Sequence, residues 1–325
     1  MTIGDVRIDG PLVLGPMAGF SHLPLRILCR RAGAHLVCSE MVAVEGLVRD
    51  NRKSFSLLRS HPSERPVSMQ IFGAEPQSMA AAVPHLEAAG ADIIDINMGC
   101  PVPKVLKARG GSALMRDPDR AVAIVSAVVK AARLPVTCKI RAGSHEGDES
   151  YLELGVRLQE AGAAAVAIHA RTITQGFSGE ADHRLTARLV EALRIPVIAS
   201  GDVFTPTMPL AILQDTGCAG VMIARGAVGR PWVFSQANEV LAGRRPPSDP
   251  PTAFRLGVAL CQAQMLQQQS DEHTAVHQMR AHLAWYSKGL PGGAGLRREC
   301  NKARTLEDLR QLAEEFARAE ATAGE

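Results

Sequence analysis

One pattern limits what this chain can fold into. Short, nearly continuous apolar runs recur through its first three quarters, at residues 12–15, 36–39, 67–71, 93–97, 136–140, 165–169, 197–199 and 220–223. Runs without polar alternation are expected for parallel strands buried on both faces. Helix-length segments lie between most of them, at residues 22–32, 76–89, 117–131, 150–161, 183–193 and 205–216. Gly33, Gly90, Gly162 and Gly217 follow four of these segments, the usual left-handed cap position. Eight strands alternating with helices predict an α/β chain built as a (β/α)8 TIM barrel. A doubly wound open sheet is the competing fold, but its Gly-rich GxGxxG turn is missing.

The barrel is expected to span residues 1–242. Residues 243–251 hold proline and charge in the AGRRPPSDPP stretch and read as a linker. Residues 252–325 show helical periodicity without a convincing strand, at 254–268, 274–288 and 306–319, and predict a small domain of three or four helices. Aromatic residues make up only 4% of the chain and small residues dominate the helical stretches, which suits tight helix-on-sheet packing. Seven cysteines, an odd number with no CxxC pair, argue against a disulfide framework or a cysteine zinc site and favour a reduced, cytoplasmic setting. No apolar run reaches the ~18 residues of a membrane span. A net charge of +3 permits nucleic acid as a partner without demanding it.

In such a barrel the active site lies at the C-terminal ends of the strands. Those ends carry Pro16-Met17-Ala18, Glu40-Met41, Gln70, Asn97 with Gly99-Cys100-Pro101, Lys139 and Arg141, His169 with Arg171, Ser200-Gly201-Asp202, and Ala224-Arg225-Gly226. Loops after strands seven and eight commonly bind phosphate through backbone N–H groups. Gly201 and Gly226 would allow close approach there, and Arg225 would add charge-assisted bonds. Lys139 and His169 would face a ring system above the barrel, where cations stabilise charge on a reduced cofactor. Cys100 could serve as proton donor or as nucleophile. No GK dipeptide exists, so a P-loop is absent; His273 and His277 lack the partners of a metal site, and none is expected. Residues 280–304 hold six basic groups against one acidic group, with Trp285 and Tyr286 among them. That pattern suits RNA backbone contact and base stacking, and equally a solvated basic face over a small core.

The blocks LGPMAG (14–19), EMV (40–42), QIFG (70–73), DINMGCP (95–101), KIR (139–141), HART (169–172), Gly201-Asp202 and Arg225-Gly226-Ala227 to Trp232 resemble the tRNA-dihydrouridine synthases, bacterial B-type subgroup. Arg280, His282, Trp285, Tyr286, Lys288 and Gly289 match the family's helical domain, so the resemblance spans nearly the whole chain. It implies an FMN enzyme that reduces a uridine of the tRNA D-loop, with NADPH, or alternatively NADH, as reductant. By that resemblance Pro16, Met17, Ala18, Gln70, Lys139, His169, Ser200, Gly201, Asp202, Ala224 and Arg225 surround FMN. Cys100 is the general acid, and Asn97, Arg141, Arg171, Arg280, His282 and Lys288 contact the RNA substrate. The expected protein is monomeric, with tRNA as partner and neither membrane nor metal. The family usually has Asn at Ser200, Gly at Ala170 and Ala224, and a lysine at Ala281; FMN binding is expected to survive these changes. A flavin barrel reductase for a small pyrimidine-like substrate and a non-catalytic RNA-binding protein are the alternatives.

Overall fold

The computed structural model describes residues 1–323; Gly324 and Glu325, the end of the predicted helical domain, lie outside the described residues. Eight parallel strands close on themselves: β1 (Leu12–Leu14), β2 (Leu36–Cys38), β3 (Val67–Phe72), β4 (Ile93–Asn97), β5 (Val136–Arg141), β6 (Ala165–His169), β7 (Val197–Ser200) and β8 (Gly220–Ile223). Each pairs with its sequence neighbour, and β8 pairs with β1 through Val221 opposite Leu12, which makes a TIM barrel. A further two-residue strand, Val42–Ala43, extends the sheet beside β3.

The apolar runs are explained by burial on two sides. Val13, Leu36, Cys38, Ile93, Ala167 and Ile198 fill the barrel interior. Their neighbours Leu12, Leu14 and Val37 pack outward under the helices. An N-terminal hairpin (Thr2–Ile3 with Val6–Arg7), absent from the sequence reading, adds Ile3 and Ile8 to the interior cluster. It is too short for a periodic signal.

The surrounding helices are α1 (Leu23–Arg31), α2 (Pro76–Ala88), α3 (Pro118–Ala131), α4 (Ser150–Glu160), α5 (His183–Ala192), α6 (Met208–Thr216) and α7 (Val233–Leu241). Gly33, Gly90, Gly162 and Gly217 all adopt positive φ just past their helices, as the sequence predicts. Helix α6 starts three residues later than expected. Pro209 has no N–H, so it sits in the first turn, where none is needed.

Beyond residue 251 lie α8 (Thr252–Gln267), α9 (Glu272–Tyr286), α10 (Gly293–Cys300) and α11 (Leu306–Ala323). Helix α10 begins after Gly292 in a glycine-rich stretch that hides it in the sequence. The core of these helices includes Trp232 from the end of the barrel, whose ring lies 6.3 Å from Tyr286 and 6.4 Å from Phe254. The predicted linker is pinned rather than loose. Asp249 accepts hydrogen bonds from Arg230, Trp232 Nε1 and Gln236 Nε2.

Candidate active site

The C-terminal rim of the barrel opens into a cavity of about 330 Å³. Parallel packing points every strand the same way, so eight strand-to-helix loops converge there. Of the predicted residues, Pro16, Met17, Ala18, Gln70, Asn97, Cys100, Lys139, Arg141, His169, Ser200, Gly201, Asp202, Ala224 and Arg225 all line it. So does Met41 from the second strand end, and so do Val102, Phe177 and Phe204, which carry no signal in the sequence.

Polar side chains at the end of β3, β4 and β5 hold one another. Asp95 accepts from Gln70 Nε2 (2.7 Å) and Thr137 Oγ1 (2.6 Å), while Asn97 Nδ2 donates to Gln70 Oε1 (2.8 Å). Asn97 Oδ1 accepts from the backbone N–H groups of Gly99 (3.2 Å) and Cys100 (3.0 Å). Asn97 thus fixes the turn that carries the thiol. Burial pushes the Cys100 thiol above its ordinary pKa, so it stays protonated at neutral pH. The segment packed on that turn needs glycine: a Cβ on Gly111, at φ +59°, would lie 2.5 Å from Cys100 O.

Burial and the neighbouring Arg141 bring Lys139 down to about 8, leaving it a cation near neutral pH that can also give up its proton. His169 is held far below its ordinary value by burial and by Lys139, Arg141, Arg171 and Arg225, so the ring is neutral. Its Nε2 is buried and has no hydrogen-bond partner. Such an atom costs free energy unless a ligand or water meets it.

On the opposite loops, Gly201 has φ +132° and Asp202 has φ +49°. Arg171 holds this strained turn from below, donating to both carboxylate oxygens of Asp202 (2.9 and 2.5 Å), and Ala181 N donates to the same group. Burial alone would raise the Asp202 carboxyl; these bonds keep it below the usual range. Arg225 also donates to Asp202 (3.2 Å). A Cβ on Gly226 would lie 2.2 Å from Val203 O, so only glycine lets the two loops approach. Positive-φ backbone beside a guanidinium makes an anion cradle.

Four predicted substrate contacts are not brought to the cavity. Arg171, 2% exposed, is spent on Asp202 and on the carbonyls of Ser178 and Gly179. His282 is fully buried where α9 meets the barrel and α8, its Nε2 2.9 Å from His22 Nε2 and its Nδ1 2.9 Å from Gln262 Nε2. Arg280 donates to Ala303 O, and exposed Lys288 lies over the Trp285 ring. Of the two readings of residues 280–304, the packing of Trp285 and Tyr286 fits a basic face over a small core. Tyr286 is buried and donates to Gln262 Oε1, and Trp285 packs edge-on against Phe20. Even inside the cavity, Arg141 is partly committed, donating to Gly99, Thr172 and Gly176 carbonyls.

No helix among the described residues is long and apolar enough to cross a membrane. No group of three or more His, Cys, Asp or Glu side chains among them could hold a metal ion.

The model of the dihydrouridine synthase (Dus) family matches residues 13–322. A tRNA-dihydrouridine synthase B of Xanthomonas campestris pv. campestris is 40% identical over 319 residues, covering 97% of this chain and 95% of that protein. The tRNA-dihydrouridine synthase B of Pseudomonas putida is 39% identical over 308 residues, 94% of this chain and 90% of the relative. Among solved structures, histamine dehydrogenase from Rhizobium sp. 4-9 superimposes with a TM-score of 0.58 at 12% identity, over 75% of this chain and 47% of that one. That likeness speaks for the barrel alone.

Proposed function

Because the chain belongs to the dihydrouridine synthase family, we propose that it is a tRNA-dihydrouridine synthase that reduces a D-loop uridine to 5,6-dihydrouridine, with FMN bound and NADPH as reductant. The observation that carries this reading is the convergence, in one cavity, of a protonated Cys100 thiol, a buried His169 Nε2 without a partner and an anion cradle.

The residues present fit FMN. The Gly201–Asp202 turn, Ala224 and Arg225 would receive its phosphate, and Pro16 to Ala18, Gln70, Lys139 and His169 would surround its ring. The orphaned His169 Nε2 would find its partner there. Ser200 and Ala224 stand where the family usually has Asn and Gly: Ser200 keeps a hydrogen-bonding group, and Ala224 adds a methyl beside the cradle that Gly226 keeps open. Bound in that place, FMN would supply hydride to C6 of the uracil ring.

The chain's own groups do the rest. Charge builds at C5 and O4 as hydride arrives, and Cys100 donates the proton that C5 requires. Asn97 holds the Cys100 backbone so that the thiol is presented in one geometry. Lys139 and Arg141 supply positive charge beside the ring system. A uridine inside folded tRNA is inaccessible, so it must be extruded into the cavity. The family match runs through the C-terminal helices, which favours an RNA substrate over a small pyrimidine. Exposed Lys288, Arg298 and Arg304 would meet its backbone.

Mapping dihydrouridine in tRNA and rRNA from cells with and without the gene tests this. Loss of one D-loop dihydrouridine is expected on deletion; an unchanged pattern would overturn the proposal. In vitro, NADPH is expected to bleach the flavin of the purified protein and unmodified tRNA to restore its colour.

A further inference from the structure

Large apolar side chains that stay exposed are few among the described residues, and they gather at the cavity. Of Val48, Val102, Leu106, Phe177, Phe204 and Phe254, three line it and Leu106 stands on the Cys100 loop. Phe177 is the extreme case at 61% exposed.

Its loop is not free to hide it. Arg141, itself buried, donates to Thr172 O (2.9 Å) and Gly176 O (2.8 Å) on one side of the ring's position. Arg171, also buried, donates to Ser178 O (3.1 Å) and Gly179 O (2.6 Å) on the other. Ile173 N and Thr174 N bond back to Gly143 O and Ser144 O. Two buried guanidinium groups are therefore spent on carbonyls that bracket a single phenyl ring. Exposing that ring costs hydrophobic free energy, and pinning the loop removes the option of collapse.

The ring's surroundings suit a nucleobase. The guanidinium of Arg225 lies 5.0 Å from the Phe177 centroid and 5.2 Å from that of Phe204, and Arg141 lies 5.5 Å from Phe177. His169 lies 6.0 Å away, deeper in the same cavity. Exposed Lys104, Lys107 and Arg109 on the Cys100 loop add charge for a polyanion. An exposed aromatic face framed by cations is how single-stranded nucleic acid is gripped through its bases.

Resting on the function proposed above, we infer that Phe177 is a stacking platform for a nucleobase of the tRNA as it enters the cavity. The ring is preorganised by Arg141 and Arg171, which act as positioning residues through the loop. The stacking surface of this protein is then at the barrel mouth and not on α9, where Trp285 and Tyr286 are occupied.

The test compares wild type, Phe177→Leu and Phe177→Trp with unmodified tRNA as probe, reading kcat/KM and equilibrium affinity across salt concentrations. Phe177→Leu keeps bulk and apolarity but removes the stacking face. It is expected to lower tRNA kcat/KM roughly 5- to 100-fold, and Phe177→Trp to recover most of that loss. The dependence of affinity on salt should keep its slope, since a phenyl ring releases no counterions. Equal losses in both variants, a flattened salt slope, or loss of bound flavin from Phe177→Leu would each overturn the inference. If wild type reduces tRNA and Phe177→Leu matches it, the inference falls alone. If wild type is inert toward tRNA, the proposed function falls and the inference with it.

Discussion

His169 at the barrel mouth and His282 at the junction with the C-terminal helices invite comparison. Both lie in motifs shared with the family, and burial drives both far from their ordinary protonation. Their polar atoms differ. Both ring nitrogens of His282 have partners, His22 and Gln262, and Gln262 is held in turn by Tyr286. The Nε2 of His169 has none. A satisfied polar network specifies how two parts of a chain meet, whereas an unsatisfied atom in a cavity marks where something else binds. Shared motif residues therefore need not share a role, and the hydrogen-bond inventory separates them.

Four substitutions or conditions would break or sharpen this contrast. The largest effect belongs to the mouth. Cys100→Ala is expected to cut dihydrouridine formation by about 10²–10⁴ while flavin stays bound. Single-turnover oxidation of the reduced enzyme by tRNA measures it, and an unchanged rate would remove Cys100 from the proposed role.

At the junction, His282→Ala should remove the 2.9 Å partner of His22 Nε2 and of Gln262 Nε2 and open a void, destabilising the fold by about 2–4 kcal/mol. Urea unfolding reads this directly. If the same substitution instead lowered tRNA affinity with stability intact, the junction assignment would be wrong.

His169→Ala should do the reverse. It is expected to weaken flavin retention by about 1–3 kcal/mol with little loss of stability, because the apo protein gives that nitrogen no bond to lose. Flavin dissociation followed by fluorescence is the check. A variant as unstable as His282→Ala would erase the distinction between the two sites.

The last effect is in pH. Folded His282 titrates at about 4 against an ordinary 6.5, so below 6.5 the unfolded chain takes up a proton that the folded chain refuses. Stability is then full above 6.5 and falls as pH drops toward 4, by up to about 1.4 kcal/mol per unit. His22, lowered by burial and by His282, adds in the same direction. His282→Gln should flatten the slope of unfolding free energy between pH 6.5 and 4. An identical slope would show that the pair is not what titrates.

Much of the barrel is legible in the sequence. Strands β4, β6 and β8 begin and end at the expected residues, because their apolar runs are nearly continuous, as burial on both faces requires. The four capping glycines declare themselves because only glycine takes positive φ cheaply. Helices Val44–Val48, Arg52–Leu57 and Pro103–Lys107 are too short to show a period in the sequence. The rim residues gather at one cavity, since strand ends in a parallel barrel must converge. The substrate contacts fared differently: Arg171 and His282 look like surface groups in one dimension, and each is buried by a segment remote in sequence or around a turn. Phe177, a single phenylalanine in a glycine-containing loop, carries no signal in the sequence; its exposure is a tertiary fact.

By itself the sequence determined the periodicity, the caps and the family, because these depend on near neighbours and on residue identity. Tertiary structure alone decided which polar atoms are spent on the protein and which are left for a ligand. That division is set by contacts between segments tens to hundreds of residues apart, such as His22 with His282 and Arg171 with Asp202, and no local pattern encodes who satisfies whom.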